Sequence, residues 1–102
     1  MSRGRASAVP YDIRRRCLIA GLVQMVGFRM FAIHHGQRLG LRGWVRNLST
    51  GEVEVLVEGP PLAVAEFLTL LKRGPAPAQV SSFVVSEEKF GPLLTQFGEA
   101  LS

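Results

Sequence analysis

The sequence predicts one α+β domain in which two helices lie on a single face of an antiparallel sheet. Three observations predict it. Stretches of hydrophobic period two and stretches of helical period alternate in the order β-α-β-β-α-β. The middle two strands are joined by a short turn, whereas each helix stands between two strands. The chain has 102 residues, 47% of them hydrophobic and 20% charged, which is enough to bury one core without disulfides or metal and too apolar for disorder. That length excludes a two-domain architecture, and no self-similar period appears, so a solenoid is excluded as well.

Residues 15–22 read Arg-Arg-Cys-Leu-Ile-Ala-Gly-Leu, with Cys17 and Ile19 on one side and Leu18 and Ala20 on the other, the pattern of a strand covered on both faces. The period changes at Phe28. Phe28, Phe31, Ala32, His35 and Leu39 follow helical spacing and Gly40 can end a helix, so a first helix is expected over residues 28–39. Residues 43–47 are short and extended, Ser49, Thr50 and Gly51 read as a turn, and Val53, Val55 and Val57 then alternate with Glu52, Glu54, Leu56 and Glu58. That hairpin predicts a sheet covered on its valine face and wet on its glutamate face, with both helices on the valines.

Gly59-Pro60-Pro61 opens the second helix where a missing N–H costs nothing, and Val64, Phe67, Leu68 and Leu71 form its apolar stripe. Lys72, Arg73 and Gly74 close it, cations at the negative end of the dipole and then a capping glycine. Pro75 and Pro77 stiffen the connection to a last full strand over residues 80–86, and a short edge strand is expected near residues 93–97. With right-handed crossovers this order is the ferredoxin-like sandwich. That architecture hosts many chemistries, so function has to be read from a site.

The net charge of +4 is a property of the N-terminus. Residues 1–16 hold five arginines against Asp12, and residues 17–102 hold seven basic and seven acidic side chains. Residues 1–12 are therefore expected to be a disordered basic leader to a domain over residues 13–102, with the Arg14 to Arg16 run a solvated start to the first strand. A nucleic-acid partner is not expected, because the charge is off the fold and the Glu52 to Glu58 strand is acidic and free of the aromatics an RNA-recognition sheet needs. Within the neutral part, Arg29, Arg38, Arg42 and Arg46 precede Glu52, Glu54, Glu58 and Glu66, so the first half is suited to receive an anion.

Cys17 is the only cysteine, which excludes an intrachain disulfide and a cysteine-based zinc cage and fits a reducing cytoplasm. The first apolar run breaks at Gly21, far short of a membrane span, and the leader lacks the apolar region of a secretory signal. His34 and His35 are adjacent on a helix and point about 100° apart, so they cannot share one metal.

Between the first strand and the first helix lies Gly21-Leu-Val-Gln-Met-Val-Gly-Phe-Arg29. A tight loop at a helix start presents backbone N–H groups without internal partners, and the helix dipole adds positive potential, so an anion is favoured there. Arg29 in the first turn opposes the dipole, yet its planar fork matches two phosphate oxygens. Such a conflict between local stability and chemistry points to function.

This loop resembles that of the acylphosphatase family, G-x-V-Q-G-V-x-F-R, and Gly43-Trp-Val-Arg-Asn-Leu-Ser-Thr-Gly-Glu-Val53 is similar to that family's second signature, G-W/Y-V-x-N-x-x-x-G-x-V. The resemblance covers roughly residues 16–86. It implies metal-independent hydrolysis of acyl phosphates to carboxylate and phosphate, with no cofactor and no covalent intermediate. It further implies that Arg29 grips the phosphoryl group, that the N–H groups of Gln24, Met25, Val26, Gly27 and Phe28 cradle its oxygens, and that Asn47 orients the attacking water. The implied partners are a small-molecule acyl phosphate and inorganic phosphate, as product or inhibitor, with a monomeric protein and no membrane. The sequence departs from the pattern at Met25, where the family has glycine. A methionine forced into a glycine conformation strains the loop, so the competing expectation is an acylphosphatase-like anion-binding module with little turnover.

Overall fold

In the computed structural model, which describes residues 11–100, five strands and two helices follow in the expected order. They are β1 (Ile13–Leu22), α1 (Phe28–Arg38), β2 (Arg42–Asn47), β3 (Val53–Gly59), α2 (Pro61–Arg73), β4 (Gln79–Glu87) and the two-residue β5 (Gly98–Glu99). The sheet order is β4-β1-β3-β2-β5, so each helix connects two strands that flank a third. The four long strands pair antiparallel. Period-two alternation turns Cys17, Ile19, Val45, Val53, Val55 and Val57 to the helices, where they meet Phe28 and Ala32 of α1 and Val64, Phe67 and Leu71 of α2 in one core. Pro61 begins α2, and the Gly74 N–H donates to Leu70 O at 2.8 Å to end it. No helix among the described residues is long and apolar enough to cross a membrane. The expected disordered leader falls mostly on residues outside the described ones.

Two expectations are corrected. The last strand lies at Gly98–Glu99 rather than near residues 93–97, and it runs parallel to β2, which makes the sheet mixed. The reason is Phe97. Its ring is 1% exposed and meets Phe67 edge-on at 5.1 Å between centroids. It lies so close to α1 that a Cβ on Gly36 would sit 2.5 Å from Phe97 Cγ. Before that ring the chain touches the β2 edge only singly, the Gly43 N–H donating to Thr95 O at 3.1 Å and Gln96 forming an isolated bridge with Arg42. The parallel ladder begins after it, with the Ala100 N–H donating to Val45 O at 3.1 Å.

The glutamate face is not wet. Glu54 is 2% exposed and Glu58 8%, because arginines of the neighbouring strands close over them. The register sets Arg14 of β1 and Arg42 of β2 on either side of Glu58, and Arg46 of β2 beside Glu54. Glu58 accepts from Arg14 Nε at 2.8 Å and from Arg42 Nη2 at 2.9 Å, and Arg42 Nη2 also donates to Asp12 Oδ2 at 2.7 Å. Glu54 accepts from Arg46 Nε and Arg16 Nε, both at 2.6 Å. Arg14, expected to be solvated, is 5% exposed and also donates to Pro92 O at 3.0 Å beneath the Phe90 ring. Burial would raise the Glu58 carboxyl, but hydrogen bonds from Arg42 and Arg14 and their charges hold it below its ordinary value. Arginines that looked free in the first half of the sequence are thus neutralised by the glutamates that follow.

Candidate active site

Gly21 begins the loop because nothing larger fits. The pairing of β1 with β4 slips between Ala20 and Gly21, Gly21 has φ 125°, and a Cβ there would lie 2.1 Å from Gln79 O. The displaced chain then anchors at Val23 and Phe28, both buried, and rises between them. Gln24 fixes that rise from the side. Its Nε2 donates to Leu48 O at 2.8 Å and to Glu52 O at 2.9 Å, tying the loop to the turn between β2 and β3. The Gln24 amide nitrogen is therefore a brace, and the backbone N–H is the donor that Gln24 has left for an anion.

The brace brings together two motifs that the sequence keeps apart. Asn47 ends β2 and shares a cavity of about 90 Å³ with Met25, Gly27, Phe28 and Arg29 of the loop and helix start. Gly27 takes φ 83° at the N-cap of α1, which has neither a side-chain cap nor an acidic residue in its first turn. Among the described residues no backbone carbonyl accepts from the N–H groups of Met25, Val26, Gly27 or Phe28. Met25, Gly27 and Phe28 with their unpaired donors, the positive end of a dipole and Arg29 thus border one small space, which favours a dense anion such as a phosphoryl group, whereas Gln24 and Val26 of the expected cradle do not line it. Asn47 Oδ1 is buried in this structure and accepts no hydrogen bond from the protein, a free acceptor at the same place.

Sequence reasoning missed Glu99. Its Oε2 lies 2.6 Å from Arg29 Nη1, with both side chains about half exposed, so β5 presents a carboxylate that steadies one nitrogen of the fork and leaves the others available. Nothing local could have flagged a residue 70 positions away. Cys17, by contrast, behaves as read: it is fully buried and burial pushes its thiol up to about 12, so it is no nucleophile. Among the described residues no three His, Cys, Asp or Glu side chains converge in a metal-ligating group.

Met25 is the one non-glycine residue with positive φ among those described, at 62°, with its side chain 98% exposed. A left-handed conformation costs an ordinary residue about 1–2 kcal/mol, which glycine avoids. Glycine also adds unfolded-chain entropy worth about 0.5–1 kcal/mol, so Met25→Gly should melt at or slightly above the parent's temperature. Phosphate should protect the variant more strongly than the parent in melting curves. A variant that melts lower and is less protected by phosphate would show that the methionine conformation carries no strain.

The sequence profile described as Acylphosphatase matches residues 15–97. The chain is 47% identical over 81 residues to an acylphosphatase of Synechococcus sp. (strain WH7803), an alignment covering 79% of this chain and 81% of that one. It is 47% identical over 77 residues to an acylphosphatase of Moorella thermoacetica, covering 76% of this chain and 83% of the relative. Among solved structures, the acylphosphatase from Bacillus subtilis superposes with a TM-score of 0.83 at 32% identity, over 87% of this chain and 99% of that one.

Proposed function

The chain belongs to the acylphosphatase family, and we propose that it hydrolyses the mixed anhydride of a carboxylic acid and phosphoric acid, with Arg29 and Asn47 as its working side chains. The observation that carries this reading is the meeting of the two motifs at one small cavity that holds unpaired N–H donors, a guanidinium and an unpartnered amide oxygen. The N–H groups from about Gln24 to Phe28 surround the phosphoryl oxygens and Arg29 binds them with its free nitrogens. Asn47 Oδ1 accepts a hydrogen bond from water and so turns a water lone pair toward phosphorus.

Water oxygen then bonds to phosphorus as the bond from phosphorus to the acyl oxygen breaks. The carboxylate leaves with that electron pair, and the water proton passes to the released phosphate. A carboxylate is a good leaving group, so little acid or base assistance is needed. The catalytic effort is positioning and charge stabilisation around an in-line transfer. Every part comes from one chain, which supports action as a monomer, and the single buried thiol fits a cytoplasmic setting.

Benzoyl phosphate hydrolysis, followed spectroscopically with and without chelator, tests the reaction. Turnover is expected in both conditions. Loss of turnover on chelation would overturn metal independence, and absence of turnover in both would overturn the activity. Asn47→Ala should lower kcat by about a hundredfold while weakening inorganic phosphate binding far less, because a water-orienting group acts mainly in the transition state. Equal losses in kcat and phosphate affinity would recast Asn47 as a phosphate ligand.

A further inference from the structure

The cavity at the start of α1, about 90 Å³, lies between the loop and the end of β2. With the phosphoryl group against the loop N–H groups and Arg29, the carbon skeleton of the substrate is the part left to meet the exposed side chains on the rim. Two methionines line that rim together with Arg29 and Asn47: Met25, 98% exposed, and Met30, 69% exposed. A single exposed apolar side chain needs no explanation, but two long ones bordering the cavity that holds the guanidinium form a local apolar surface. Methionine is unbranched and polarisable, and it adapts its shape to alkyl and aromatic surfaces.

The charges at the same place discriminate against other acyl groups. Among the described residues Arg29 is the only cation lining the cavity, and Glu99 already contacts it. An acyl group bearing its own carboxylate or a second phosphate meets no further cation among the described residues and meets the Glu99 charge. We propose that Met25 and Met30 form an acyl subsite that selects acyl phosphates with aryl or alkyl acyl groups over small or anionic ones. The proposal rests on reading the cavity as the phosphoryl site.

The test compares benzylphosphonate with methylphosphonate in binding, and benzoyl with acetyl phosphate in kcat/KM, for the parent, Met25→Gln, Met30→Gln and the double variant. Glutamine keeps the length and the Cβ of methionine, so the backbone conformation at residue 25 is equally demanding in parent and variant. Each ratio comes from one preparation and is insensitive to the fraction of folded protein. The parent is expected to favour the apolar ligand about tenfold, as burying roughly 50 Å² of apolar surface implies. The double variant should favour it less than twofold. Equal binding of the two phosphonates by the parent, or an undiminished preference in the double variant, overturns the subsite. If the parent binds benzylphosphonate preferentially but hydrolyses neither acyl phosphate, the subsite stands and the hydrolytic reading falls. If it binds neither phosphonate, both fall.

Discussion

Arg29→Ala is expected to lower kcat/KM for an acyl phosphate by at least about a thousandfold, the range found when a transition-state arginine is removed from phosphoryl transfer. The melting temperature should hardly move. The Arg29 to Glu99 pair is about half exposed on both sides, and exposed pairs contribute at most about 1 kcal/mol. A cation in the first turn of α1 also opposes the helix dipole, which offsets part of that contribution. Arg29→Lys should not restore activity, because an ammonium point charge lacks the fork that reaches two phosphate oxygens while Glu99 holds a third position. Glu99→Gln should cost less than tenfold, since it removes a steadying contact and leaves the fork. Alanine variant activity within a few-fold of the parent would remove Arg29 from the mechanism, and a Glu99→Gln loss as large as that of Arg29→Ala would make the carboxylate an equal participant.

The parts of the site that the sequence disclosed are those held by local chemistry. Phe28 starts a helical period and Arg29 conflicts with a dipole, and each can be recognised within a few residues. Met25 stands out only against the family pattern, and its observed φ of 62° and the Cβ clash at Gly21 are visible in the folded chain alone. Glu54 and Glu58 could not be placed in that way. Alternation along β3 says that they face away from the valines, but it does not distinguish water from the guanidinium of a neighbouring strand. That difference depends on strand order, because Arg14 and Arg42 flank Glu58 only when β3 lies between β1 and β2. Phe97 escaped for a related reason. It is a lone core residue in a stretch of proline and glycine without any period, and its burial depends on Phe67 and Gly36, far away in the chain.

The glutamate network carries the largest expected effect on stability. Glu58→Ala is expected to destabilise the fold by about 3 kcal/mol, because it strands the buried Arg14 guanidinium without its carboxylate, and breaking one side of a buried pair costs about 3–5 kcal/mol. The lower end applies because Arg14 keeps its bond to Pro92 O and Arg42 keeps Asp12. The combined change Arg14→Met with Glu58→Leu should recover most of the loss, since it removes both charges and fills the same space with apolar atoms. The direction of the pH effect follows from the lowered Glu58 carboxyl. A carboxyl held below its ordinary value of 4.5 adds stability above that value and loses it as pH falls through the folded-state titration. Urea midpoints at neutral pH and near pH 3 should therefore converge for the double variant more than for the parent. Hydrolysis should persist in the double variant, because Arg14 and Glu58 lie outside the cavity that holds Arg29 and Asn47. An alanine variant within about 1 kcal/mol of the parent would show that the paired face contributes no more than ordinary surface salt bridges.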